Sequence, residues 1–291
     1  MHRRGVLGPA RVRLTNRHLS SPVKTITEPL AAIPHDAATQ KSLDIAYHRE
    51  AAVTYDAVVT RNFHFFHVHS LHPWIRRLRA RIAKPEVLDL GTGTGVVAVT
   101  LAQFGCRVTA MDHSPEMLGH ARVRAQGAGV GDLLTLTLGD GERLPYPDAS
   151  FDAVTIQGVL HHLPDCLPML REAHRVLRPN GELYVSEPCG ESTPVTKGLH
   201  ALLAPARWAK RFLLGRRVVE PAVSEHEAPV SGPQLVEQTR AVGFDVEAEY
   251  LIRTGLMQAV PELLKISVTL LLSWPTRRTR GDILFLLGKK R

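Results

Sequence analysis

Three aspartates stand where apolar runs of the chain give out: Asp89 in VLDLGTGTG (87–95), Asp112 closing RVTAMD (107–112) and Asp140 closing LLTLTLGD (133–140). Carboxylates in such places accept hydrogen bonds and attract positive charge, and three together suit a cationic ligand better than a pyrophosphate. Gly91, Gly93 and Gly95 follow Asp89 at every second position, leaving a backbone free to adopt positive φ or to be approached closely. The dinucleotide fingerprint G-x-G-x-x-G would require glycine at position 96, where Val96 stands; D-x-G-x-G-x-G fits throughout. A carboxylate about 20 residues beyond a glycine turn is spaced to accept both hydroxyls of a ribose diol, and Asp112 holds that place. Asp140 could accept from an adenine amino group, while Asp89 faces a cationic amino acid moiety.

The elements that must carry these residues alternate. Val87, Leu88 and Leu90 suit a buried strand, and Val97, Leu101 and Phe104 share a helical stripe that Gly105 can close. Strand, glycine turn and helix N-terminus make half of a nucleotide-binding unit. Residues 107–112 read as the second strand. Ser114 and Pro115 then start a helix through Arg124, and 133–140 reads as the third strand. FDAVTIQG (151–158) is expected as the fourth strand, a helix spans Leu167–Leu177, and GELYVSEP (181–188) is expected as the fifth after an Asn180–Gly181 turn. Repeated βα units imply an α/β fold with a parallel sheet. Ser231 caps a helix whose stripe is Leu235, Val236, Thr239 and Val242; FDVEAEYL alternates as an edge strand, and GDILFLLGKK supplies the last strand. Boundaries follow: a basic tail at 1–40, a helical cover at 41–84, a binding core at 85–190, an inserted basic amphipathic lid at 191–230, and completion of the sheet by 231–291.

Charge narrows the partners. The formal net charge is +8, yet six of the 36 basic residues lie within 1–27, which holds no acid, so the remaining 30 against 28 acids leave the body near neutral. No nucleic-acid partner is expected, and the tail, which lacks an apolar core of its own, reads as disordered or as an Arg-rich targeting segment. Three cysteines at wide spacing imply neither a disulfide framework nor a zinc site, and a reducing, cytoplasmic setting follows. His64, His67, His69 and His72 would spread over more than half of a helix circumference, so no metal site is expected. The most apolar stretch, Leu263–Trp274, includes Lys265 and is too short to span a bilayer, leaving peripheral membrane contact open.

With these residues in view, the sequence resembles the class I S-adenosylmethionine-dependent methyltransferases, in the subgroup typified by ubiquinone and menaquinone biosynthesis enzymes. VLDLGTGTG, VTAMDHSPEML, GDGERLPYPDASFDAV, and QGVLHHLPD running on through VLRPNGELYVSEP carry the resemblance over residues 87–188. It implies a Rossmann-like seven-stranded sheet with the last strand antiparallel. It also implies S-adenosyl-L-methionine as cofactor: methionine end against Asp89, Gly91 and Gly93, ribose on Asp112, adenine near His113, Asp140 and Gly141. Thr92, Gly95, Met117 and Gln157 complete the expected set, and Tyr55 matches a tyrosine that often closes over the cofactor in such proteins.

A sulfonium methyl is already activated, so transfer requires chiefly an acceptor held behind it in a dry pocket. Where the acceptor is a hydroxyl or acidic carbon, a base adds rate; His161, His162 and Glu187 are the candidates, with capping or packing as the competing role of the histidines. The expected acceptor is a small hydrophobic or amphipathic molecule (a lipid, quinone precursor or polyketide-like product) methylated on oxygen or carbon. The rival readings are a methyltransferase for protein or nucleic acid, and a non-catalytic cofactor-binding scaffold. Residues 191–230 and 256–274 lie outside the shared core, so the acceptor is not legible in it, nor is the oligomeric state.

Overall fold

A computed structural model describes residues 70–189, 230–251 and 283–291. The N-terminal tail, most of the helical cover with Tyr55, His64, His67 and His69, the expected lid and the apolar stretch 256–274 lie outside the described residues.

Helix α1 (His72–Arg81) leads into strand β1 (Glu86–Leu90), and the βα alternation then runs α2 (Val96–Gln103), β2 (Arg107–Asp112), α3 (Pro115–Gly127), β3 (Leu134–Leu138), β4 (Phe151–Gln157), α4 (Leu167–Val176) and β5 (Leu177–Pro188). Helix α5 (Gly232–Val242) and strands β6 (Phe244–Leu251) and β7 (Ile283–Lys290) follow. The sheet has seven strands in the order β3-β2-β1-β4-β5-β7-β6. Strands β1 to β5 run parallel, while β7 lies antiparallel between β5 and β6. The order reverses between β1 and β4, and a doubly wound sheet opens its ligand crevice at the carboxyl ends of such a pair.

Both faces are covered, as the near-continuous apolar runs require. One core packs Leu88, Leu90, Val154, Ile156, Leu183 and Val185 against α4 and α5. The other packs Val87, Val108, Ala110, Ala153 and Tyr184 against α1 and α2. Because side chains alternate along a strand, Asp89 shares the face of Val87, and Glu187 shares that of Leu183 and Val185.

Several boundaries differ from the sequence reading for local reasons. The Asn180–Gly181 pair does not separate helix from strand. Strand β5 begins at Leu177 opposite Phe151, and its register jumps to Ala153 opposite Glu182, so the extra residues are absorbed as an irregularity within the strand, with Asn180 at φ 62°. Residues 131–133 form a short 3-10 turn that delays β3 to Leu134. Helix α3 continues to Gly127. Ser231 sits at the N-cap of α5 but makes no capping hydrogen bond with its side chain; Pro233 in the first turn presets the backbone there instead. Among the described residues no helix is long and apolar enough to cross a membrane.

Candidate functional site

The rim of the crevice is built first by the turn after β1. Asp89 is 1% exposed, and burial pushes its carboxyl up to about 6, with the neighbouring Asp112 charge adding to the rise. Its oxygens accept from the hydroxyls of Thr92 (2.7 Å) and Thr155 (2.6 Å). The β1–β4 register sets Asp89 directly opposite Thr155, and the Ala98 amide in α2 favours the ionised form. Asp89 therefore ties β1, β4 and the start of α2 together and faces inward; what it presents to the rim is the turn it holds.

The three glycines, expected alike to bare the backbone, serve three different ends. A Cβ on Gly91 (φ +65°) would fall 2.4 Å from Val159 Cγ2, and one on Gly95 (φ +81°) 2.8 Å from Cβ of Ala121 on α3. At Gly93 (φ +54°) it would meet nothing within 4 Å among the described residues. Only Gly93 of the three opens onto free space; Gly91 admits the loop after β4, and Gly95 lets α3 pack beside the N-terminus of α2.

Asp112 is 7% exposed at the end of β2. One oxygen accepts the Gly93 amide (2.8 Å) and the other the Ser114 amide (2.9 Å). Each oxygen keeps a lone pair, so a diol could still be received. His113 Nδ1 lies 3.9 Å from Asp112, and Ser114 caps α3 by accepting the Met117 amide (3.2 Å), with the Met117 side chain buried. The Asp140 carboxylate accepts the Glu142 amide (3.0 Å). A Cβ on Gly141 would fall 2.5 Å from Met169 Cε, the far end of a flexible side chain. Gln157 ends β4, half-buried.

Beyond the ends of β4 and β5 the structure brings His161 and Glu187 together. Glu187 is fully buried. Its Oε1 accepts the amides of Val159 (2.8 Å) and Leu160 (3.0 Å), and its Oε2 lies 2.9 Å from His161 Nδ1. A buried carboxylate is costly unless its lone pairs are met, and here one short segment meets them. Residues 160–162 form a single 3-10 turn, and the rings of His161 and His162 lie 4.0 Å apart. Sequence reasoning missed Thr155, Val159 and the two amides. Thr155 could have been found as a polar residue inside an otherwise apolar strand; Val159 and the amides depend on the path of the loop.

The residues fit an S-adenosylmethionine-like ligand on one structural ground: Gly93 presents open space directly beside a carboxylate that grips its own amide. Residues 88–185 match a family model described as a methyltransferase domain. The family and the fold together imply S-adenosyl-L-methionine as cofactor. Among particular relatives, the chain is 43% identical over 125 residues to the demethylmenaquinone methyltransferase of Corynebacterium efficiens, covering 42% of this chain and 50% of that one. It is 40% identical over 106 residues to the 27-O-demethylrifamycin SV methyltransferase of Amycolatopsis mediterranei, covering 36% of this chain and 39% of the relative. The chain thus spans about half the length, or less, of the curated relatives it matches. The fold is shared with the YcgJ protein of Bacillus subtilis at a TM-score of 0.52 and 20% identity, over 77% of this chain and 99% of the other.

Proposed function

We propose that the protein transfers a methyl group from S-adenosylmethionine to a small, hydrophobic or amphipathic molecule. When bound, the cofactor supplies a methyl on a sulfonium centre, so displacement of that methyl leaves a neutral thioether. The observation that carries the reading is the Asp112–Gly93 pair. A nearly buried carboxylate at the end of β2 accepts the amide of the one turn glycine whose Cβ position is empty. Asp112 would take the ribose hydroxyls, and Gly93 would let the amino acid end lie against the backbone. Asp140 and His113 would flank the adenine, and Gly91, Thr92, Gly95, Met117 and Gln157 would shape the surrounding wall. Tyr55 is proposed to close over the cofactor from the N-terminal cover. The acceptor class is supported by the names of the relatives, which refer to a quinone and a rifamycin, and by the near-neutral body of the chain.

Asp112→Ala is expected to abolish S-adenosylmethionine binding in calorimetry while the far-ultraviolet circular dichroism stays that of the wild type. Unchanged affinity would remove the assignment. Incubating the protein with methyl-labelled S-adenosylmethionine and a cell extract, then finding the labelled product by mass spectrometry, identifies the acceptor. Cofactor binding with no labelled product would favour a non-catalytic scaffold.

A further inference from the structure

Strand β6 is the outermost strand at its end of the sheet. Its register runs against β7, from Phe244 opposite Lys290 to Leu251 opposite Ile283, and among the described residues no strand lies beyond it. The outer edge of such a strand presents the N–H and C=O groups of alternate residues, where one more strand can pair.

A groove of about 870 Å³ lies against this edge, and its described walls come from both faces of the sheet. Side chains alternate along β6. Asp245 and Glu247 register through Lys289 and Leu287 with Glu182 and Tyr184 of β5, on the face covered by α1. Val246 registers through Gly288 with Leu183, on the face covered by α5. The groove takes in Glu247 with Pro73 and Arg77 of α1, and it also takes in Val246 and Ala248 with Pro233 and Val236 of α5. A cavity lined from both faces straddles the edge of the strand. The guest that can follow it is itself extended, meeting the β6 backbone with its own and sending successive side chains to opposite sides.

The two sides differ in chemistry. Toward α5 the wall is apolar at Pro233, Val236, Val246 and Ala248, and Arg240 is turned to the Val246 carbonyl at 3.5 Å. Toward α1 the strand offers Asp245 and Glu247, both exposed; Arg291 stands 4.0 Å from Asp245, at the limit of an ion pair. Among the described lining residues Arg77 and Arg240 balance Glu247 and Glu249, so the groove selects by position rather than by net charge. A strand paired with β6 places side chains directly across from Asp245 and Glu247, where opposite charges attract and like charges repel. A second copy is disfavoured for the same reason: a two-fold axis through Val246 would set Asp245 against Glu247 of the partner subunit.

We propose that β6 is a docking edge for an extended segment of a partner protein that alternates apolar and basic residues, with apolar side chains entering the α5 side and a lysine or arginine opposite Glu247. The guest extends the seven-stranded sheet by one strand. Because β6 and β2 stand toward opposite ends of the strand order, docking does not depend on the methyl-transfer reading.

The probe is a short synthetic peptide alternating valine with arginine, added to the full chain. A valine–glutamate peptide and a backbone N-methylated copy of the valine–arginine peptide are the controls. Fluorescence anisotropy is expected to show saturable binding of the valine–arginine peptide alone, and amide hydrogen exchange to slow at every second residue across 244–248. Glu247→Lys changes an exposed side chain; it is expected to weaken the valine–arginine peptide roughly 2- to 30-fold, to admit the valine–glutamate peptide, and to leave S-adenosylmethionine affinity at the wild-type value. A valine–arginine peptide that does not bind, equal binding of the N-methylated copy, protection confined to residues outside β6, or an unchanged charge preference in Glu247→Lys would each overturn the proposal. So would a dimer in sedimentation whose β6 amides are protected with no peptide present, since a second copy would then hold the edge.

Discussion

A single methyl group distinguishes the roles of two glycines that look equivalent in G-T-G-T-G. Gly93→Ala adds a Cβ that meets no atom of the described residues, so the expected stability loss is the left-handed backbone cost of about 1–2 kcal/mol, while S-adenosylmethionine affinity falls steeply. Gly95→Ala adds one 2.8 Å from Ala121, and that clash between α2 and α3 is expected to cost a further ~1–3 kcal/mol of stability. Urea denaturation paired with calorimetry on both variants separates the two effects. Asp89 carries a pH signature of its own. Its folded value of about 6 lies above the ordinary 3.8 because burial disfavours the charge. The folded state therefore binds a proton more tightly than the unfolded chain. The resulting penalty is absent below the unfolded value, grows as pH rises through the window between the two, and is complete above about 6, where it reaches about 3 kcal/mol. Stability measured from pH 4 to 7 is expected to fall for the wild type relative to Asp89→Asn, which has no such proton to lose; parallel curves would contradict the assignment.

At the scale of elements, the site depends on loops pinned far from it. Arg175, in the last turn of α4, donates to the carbonyls of Leu144 and Tyr146 and pairs with Glu172 and Asp148. It thereby fixes the connection between Asp140 and β4. Lysine cannot reproduce that planar fork, so Arg175→Lys is expected to lower stability by roughly 1–3 kcal/mol and to loosen amide-exchange protection across residues 141–150 before it affects the sheet. Lys290 at the end of β7 donates to the carbonyls of His174 and Leu177 at 2.7 Å each, closing the C-terminus of α4 with a cation. At the same end of the sheet but on its other face, α1 is held to β5 through Glu182, which accepts from Trp74 Nε1 (2.8 Å) and pairs with Arg81 (2.6 Å). The Lys290 and Glu182 fastenings join residues more than a hundred positions apart, and no spacing rule in the sequence announces them.

For the whole molecule, a ligand that binds only the folded sheet must stabilise it. S-adenosylmethionine at about 100 times its dissociation constant is expected to add about 2.7 kcal/mol, seen as a rise in Tm for the wild type and none for Asp112→Ala. The sheet also gathers its long excursions at one end: Cys189 pairs with Val230, and Leu251 with Ile283, which itself pairs with Pro188. The chain leaves and re-enters the described sheet beside Glu187 each time. The local sequence was enough to determine the βα alternation, the acids at or near the strand ends, the glycine turn and the histidine pair, because apolar period, turn residues and spacing act over a few residues. Tertiary structure alone decided that β7 slips between β5 and β6, that Thr155 and Asp89 meet across a strand pair, that Gly91 and Gly95 serve packing while Gly93 stays open, and that Glu187 grips His161 from 26 residues away. Such outcomes follow from strand register and from which side chain faces which across the sheet, quantities that exist only once distant segments have paired.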